Sequence, residues 1–192
     1  SIYADALCAD GSSMVTEFIY WSDYYNSIIS PFYSYSTGRT KETIRSSQVT
    51  CRDIDGDGCI EIPEDTSSKK QSSEITSQNW VNYGNTVLSH KCYSFSCKRD
   101  GYILVIDDDD FSKVKANYDS ESRKLTIINK KNKSNVFEIV TLINSNYSVN
   151  DPKYKDYTMI MKNSGFVYLA KVNKSSDIDI NIQTLKDMIK VY

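Results

Sequence analysis

The sequence predicts a β-dominated α+β fold of short strands closing in one helix, on three observations. The 15 tyrosines stand among many Ile, Val and Thr with only 3 prolines, and aromatic and β-branched side chains suit a pleated, half-buried surface. Short apolar runs alternate with turn chemistry at Asp10-Gly11, Thr37-Gly38 and Asp100-Gly101. Near the end, Ile182, Leu185, Met188 and Ile189 recur at helical spacing behind Asn181, a favoured N-cap residue.

In chain order, strands are expected at Ile2 to Leu7, Val15 to Trp21, the Tyr/Phe-rich stretch Ile28 to Tyr35, and Thr43 to Cys51. Apolar residues fall on both faces of Val15 to Trp21, which predicts a sheet covered on two sides. From Thr66 to Gln78 apolar residues nearly vanish, which reads as a linker. The expected organisation is therefore a β unit over 1–65, a linker over 66–78 and a second domain over 79–192. In that domain the expected strands are Val87 to Lys98, the continuous apolar run Tyr102 to Ile106, Val114 to Tyr118, Leu125 to Ile128, Val136 to Ile143, Thr158 to Met161 and Phe166 to Val172. The C-terminal helix packs on their antiparallel sheet, giving an α/β sandwich.

Composition excludes several functions. Hydrophobic residues at 40% and charged residues at 25% describe a folded chain. A formal net charge of -2, from scattered charges, leaves no electrostatic footprint for nucleic acid. No apolar run approaches the roughly 20 residues of a membrane span, and Ser1-Ile-Tyr-Ala-Asp5 opens in strand-like sequence, which reads as a cut end. Five cysteines leave at least one unpaired, and none is spaced for zinc. Cys92 and Cys97 share one expected strand, too far apart to bridge. Cys51 and Cys59 flank an acidic loop, which brings them together if it folds tightly.

That loop, Asp53-Ile-Asp-Gly-Asp-Gly-Cys-Ile-Glu61, carries the one specific motif. Asp53, Asp55 and Asp57 alternate, and Gly58 permits a sharp reversal. Calcium takes about six to eight oxygens at roughly 2.3–2.6 Å. The expected ligands are Asp53, Asp55, Asp57, the backbone carbonyl of Cys59, and Glu61. Glu64 completes the D-x-D-x-D-G-x5-E pattern, but a strand starting near Ile60 carries it past Pro63 and away from the ion. Pro63 and the strand-like Glu61-Ile-Pro63 also argue against an EF-hand helix after the loop.

The segment Asp53 to Pro63 resembles the calcium loop of FG-GAP/VCBS-type β-propeller repeats. Thr16-Glu-Phe-Ile-Tyr-Trp21 with Ser30-Pro-Phe32 is similar to the strands that precede that loop. Tyr93-Ser-Phe-Ser96, Asp100 to Ile106 and Phe166-Val-Tyr-Leu-Ala170 are similar to the C-terminal half of VCBS-repeat lipoproteins of clostridia-like bacteria. The resemblance implies a terminal propeller-blade-like unit with a calcium loop, followed by the sandwich, in an extracytoplasmic, cell-surface-anchored protein with no assigned activity. The chain departs from that pattern in holding one acidic repeat and no lipobox cysteine.

Other signals have ordinary readings. Asp107 to Asp110 reads as a solvated loop. His90 is the sole histidine, so His-based triads and metal sites lack raw material. Tyr24, Tyr25, Phe32, Tyr33 and Tyr35 read as core packing between sheet layers, in preference to a carbohydrate platform. The expected function is a non-enzymatic calcium-binding surface module for adhesion, ligand binding or scaffolding, with a protein or carbohydrate ligand. The alternatives are an accessory domain of a larger secreted enzyme and, behind it, a dockerin-like module. A lone blade leaves part of Phe18 to Trp21 uncovered, which favours a homodimer.

Overall fold

The computed structural model describes residues 1–66, 74–84, 86–148, 151–173 and 178–192. Among them it is β-dominated, with several antiparallel sheets and two short α-helices. Strands β1 (Ile2–Leu7), β2 (Met14–Ser22) and β3 (Ser27–Ile29) form a three-stranded sheet, and β4 (Tyr33–Ser34) with β5 (Arg39–Thr40) a two-stranded ribbon. Next come β6 (Ile62–Asp65), β7 (Ile75–Gly84), β8 (Val87–Cys97), β9 (Tyr102–Ile106), the one-turn helix α1 (Asp108–Phe111), β10 (Val114–Asp119), β11 (Lys124–Asn129) and β12 (Asn135–Ile143). The chain closes with β13 (Thr158–Lys162), β14 (Phe166–Val172), helix α2 (Ile182–Met188) and β15 (Ile189–Val191). Strand orders in the two five-stranded sheets are β10-β11-β12-β14-β13 and β15-β9-β8-β7-β6.

The described residues of 1–69 and 76–94 form one compact unit, and those of 70–75 and 95–192 another. The first has a small aromatic core: Phe18, Phe32, Ile62 and Val81 are buried, with Tyr3, Tyr20 and Tyr83 packed against them. Phe18 lies at its centre, its ring 4.6 Å from Tyr3, 5.3 Å from Tyr20 and 5.1 Å from Tyr83. Alternation along β2 explains this, because Thr16, Phe18 and Tyr20 share one face. On the opposite face Trp21, paired with Ile28, is 57% exposed. Val15, Glu17 and Ile19 on that face are half-buried, so the expected cover on both sides is incomplete only towards the strand's end, where no described element buries Trp21.

The second unit holds the larger core. Tyr102, Leu104 and Ile106 of β9, Leu125 and Ile127 of β11, Phe137 and Ile139 of β12, Tyr168 and Ala170 of β14, and Leu185 of α2 are all buried in one cluster. The Asn181 side chain accepts hydrogen bonds from Gln183 N (2.8 Å) and Thr184 N (3.0 Å), capping α2.

Several expected elements take another form. Thr43 to Cys51 is not a strand, because side chains take its backbone donors. Asp65 Oδ2 accepts from Ser46 N (2.6 Å) and Ser47 N (3.2 Å), and Asp5 Oδ2 accepts from Cys51 N (2.7 Å). Among the described residues its only backbone pairing of strand type is a bridge from Arg45 to Met14. The stretch Ile28 to Tyr35 divides between β3 and β4, and of its neighbouring aromatics only Phe32 enters the core, whereas Tyr24 and Tyr35 are 89% and 86% exposed. Residues 67–73 of the expected linker lie outside the described residues. Its last four residues begin β7, which pairs with β6 (Ile62↔Val81, Asp65↔Gln78) and so places 76–94 in the first unit. Asp107 to Asp110 runs into the turn of helix α1, not a loop. No disulfide joins Cys51 to Cys59.

Candidate metal centre

The acidic segment is closed at its base by a backbone bridge, with Arg52 N donating to Glu61 O (3.1 Å) and Glu61 N to Arg52 O (2.9 Å). Strand β6 begins at the next residue, so the loop exits into a strand. Within it the aspartates organise the backbone. Asp53 Oδ1 accepts from Gly56 N (2.7 Å) and its Oδ2 from Gly58 N (2.9 Å), while Asp55 Oδ1 accepts from Asp57 N (3.2 Å) and Asp57 Oδ1 from Cys59 N (2.8 Å). Gly56 and Gly58 adopt φ of 84° and 86°, a left-handed conformation that a Cβ disfavours. The alternating Asp-Gly pattern is thus the chemistry of the loop's own shape. Ile54 faces the other way and is 1% exposed, anchoring the loop.

Glu61 is the residue the loop's own shape does not explain. Its relative exposure is 0%; Oε2 accepts from Ile54 N (3.0 Å), and Oε1 is buried with no hydrogen-bond partner. An unpaired buried acceptor costs about 1–3 kcal/mol, and more when charged. One carboxylate oxygen from each of Asp53, Asp55 and Glu61 lies within 4.8 Å of the other two. Burial pushes the Glu61 carboxyl up; the Ile54 bond opposes this, and the charges of Asp55, Asp57 and Asp53 add to it. A divalent cation among these oxygens would remove the repulsion between the three carboxylates.

Asp57 stands apart from that trio. Its Oδ2 lies 2.7 Å from Lys91 Nζ, which also reaches Asp55 Oδ2 at 3.5 Å. Lys91 comes from β8, and sequence reasoning missed it because no local pattern marks a partner 34 positions away. The bond from Lys91 lowers the Asp57 carboxyl, and the same bond raises the lysine. Glu64 turns elsewhere, its Oε2 accepting from Asn79 Nδ2 at 2.9 Å.

No family model matches this chain. No curated protein and no solved structure matches it either.

Among the other polar clusters, Asp100 offers the instructive contrast. It is equally buried, yet its Oδ1 pairs with Arg123 (Nε 2.7 Å, Nη2 2.6 Å) and its Oδ2 accepts from Tyr118 Oη (2.8 Å). The nearby Cys97 thiol, 3.6 Å from Oδ2, is pushed up to about 12, first by burial and then by the Asp100 charge, which disfavours the thiolate. Every Asp100 carboxylate oxygen is satisfied within the chain, which suits a structural brace. His90 is exposed, with Nδ1 against Asn79 Oδ1 and its ring 4.5 Å from Tyr93. Asp110 pairs with Lys113 (3.0 Å).

Proposed function

We propose that this protein is a calcium-braced β module, with the ion held by Asp53, Asp55 and Glu61 and by the backbone carbonyl of Cys59. The observation that carries this reading is the fully buried Glu61, whose Oε1 lacks a partner and whose carboxylate clusters with those of Asp53 and Asp55. A brace accounts for the position of the loop, which links the Arg52–Glu61 bridge to β6 and hence to the aromatic core through Ile62. Hard oxygen donors and no nitrogen or thiolate in the trio favour calcium over zinc. Asp57 joins the shell only by leaving Lys91.

The wider role we propose is a non-enzymatic extracytoplasmic surface module for adhesion, ligand binding or scaffolding. It is supported by the loop's resemblance to FG-GAP/VCBS repeats and by the exposed aromatics Trp21, Tyr24, Tyr25 and Tyr35. The sheet β1-β2-β3 has one strand fewer than the four of a usual propeller blade. No helix among the described residues is long and apolar enough to cross a membrane.

Melting of demetallated protein in calcium and in chelator tests the calcium reading. A ligand bound only by the folded state at about a hundred times its dissociation constant adds ~2.7 kcal/mol, a rise of about 5–10 °C for a chain of this size. Asp55→Ala and Glu61→Gln are each expected to abolish the rise. Glu61→Gln in chelator is expected to melt no lower than the natural protein, since it keeps the Ile54 bond and removes a repelling charge. Superimposable melts of the natural protein in calcium and chelator refute the reading.

A further inference from the structure

We infer that Lys91 is a tethered cation that competes with calcium for the acidic loop and so sets the calcium concentration at which the site fills. The inference rests on the calcium reading above. Its independent basis is the position of Nζ, 2.7 Å from Asp57 Oδ2 and 3.5 Å from Asp55 Oδ2, delivered from β8 and not from the loop. Asp55 therefore belongs to both arrangements: it is one of the three clustered carboxylates and also a partner of Lys91.

Two consequences follow from charge alone. Without calcium, the single positive charge of Lys91 offsets part of the repulsion among Asp53, Asp55 and Asp57, so the empty loop keeps its shape. With calcium, that same charge sits beside a doubly charged ion, and the ion must either displace it from Asp55 and Asp57 or bind against its repulsion. Both routes weaken calcium binding. At separations of a few ångströms in a largely aqueous setting, one unit charge beside a divalent ion corresponds to about a tenfold change in affinity. The side chains of Lys91, Asp55 and Asp57 are 27%, 32% and 37% exposed, so solvent reaches all three and the effect declines with salt.

The test is calcium titration calorimetry on the natural protein, Lys91→Met, Lys91→Gln and Lys91→Arg, with melting in chelator as the check on folding. Removing the charge is expected to tighten calcium binding about tenfold in both neutral variants and to lower the melting temperature in chelator. Lys91→Arg, which keeps the charge, is expected to bind calcium like the natural protein. A lysine that merely packs would not produce tighter binding on its removal. If the natural protein binds calcium and the neutral variants bind it equally or more weakly, the competition is refuted while the calcium reading stands. If none of the proteins binds calcium, both fall.

Discussion

Arg45→Ala should be among the most damaging single changes in the first unit. The Arg45 guanidinium side chain is 0% exposed and each of its nitrogens has a partner: Nε donates to Val49 O (2.8 Å), Nη1 to Thr16 Oγ1 (2.9 Å) and Thr43 O (3.2 Å), and Nη2 to Asp5 Oδ1 (2.8 Å). This one side chain therefore ties the irregular stretch 43–51 to β1 and β2. Asp5, 13% exposed, would lose its counter-charge while keeping its bonds from Thr16 Oγ1 (2.5 Å) and Cys51 N. Breaking a buried ion pair by removing one member costs about 3–5 kcal/mol, a large share of the roughly 5–15 kcal/mol that holds a typical domain folded. Both tryptophans, Trp21 and Trp80, lie in this unit, so their fluorescence during urea unfolding reports it selectively. With a slope of ~2 kcal/mol per molar urea, the midpoint should fall by about 1.5–2.5 M. Asp5→Ala combined with Arg45→Met should cost less than the sum of the two single changes, since the second removal leaves no unpaired charge. A loss under ~1 kcal/mol for Arg45→Ala, or strict additivity of the pair, would refute the clasp.

Asp100→Asn should destabilise the second unit by about 1.5–3 kcal/mol, the range for hydrogen bonds to a charged group, because it removes the charge that Arg123 pairs with in a cluster that also holds Tyr118; tyrosine near-ultraviolet dichroism during urea unfolding measures it. Acid should weaken the first unit. Burial raises the Asp5 and Asp65 carboxyls, but bonds from Thr16, Cys51 and Arg45 to the one, and from Ser46 and Ser47 to the other, outweigh it and leave both lowered. Since their folded values lie below the unfolded one, the stabilisation is complete above about pH 3.9 and is lost as pH falls through the lowered values. Asp5→Asn with Asp65→Asn should flatten the tryptophan-monitored stability profile across that window. Thiol labelling of the native protein at mild alkaline pH should mark the exposed Cys59 well before Cys97, whose thiol is both fully buried and pushed up to about 12; equal labelling rates would contradict the buried Cys97–Asp100 arrangement.

What was legible in the sequence was what local pattern determines. The alternation in β2, the apolar run of β9 and the Asn181 cap of α2 each act over a few residues, and each is found within a residue or two of its expected place. The turn chemistry of the acidic loop is local in the same way, since its aspartates bond to backbone groups two to five positions away. Interactions between distant positions were not. Thr43 to Cys51 has strand-like composition, yet Asp5 and Asp65 claim its N–H groups from across the unit. Asp57 continues the alternating acidic pattern, and a lysine 34 residues on holds its carboxylate. The short β15 was absorbed into the expected helix, because Ile189 continues the helical spacing while pairing with Leu104 of β9. The aromatic-rich stretch misled in the opposite direction, its hydrophobic residue types promising a core that only Phe32 enters.

The most direct test is a crystal structure of the demetallated protein soaked or grown in calcium, with the anomalous signal used to identify the ion. One calcium is expected in the loop, with carboxylate oxygens of Asp53, Asp55 and Glu61 and the Cys59 carbonyl at roughly 2.3–2.6 Å, and Glu61 Oε1 among the ligating atoms. A well-ordered loop in calcium with no ion among those carboxylates, and Glu61 Oε1 still unpaired or bound only to water, would contradict it.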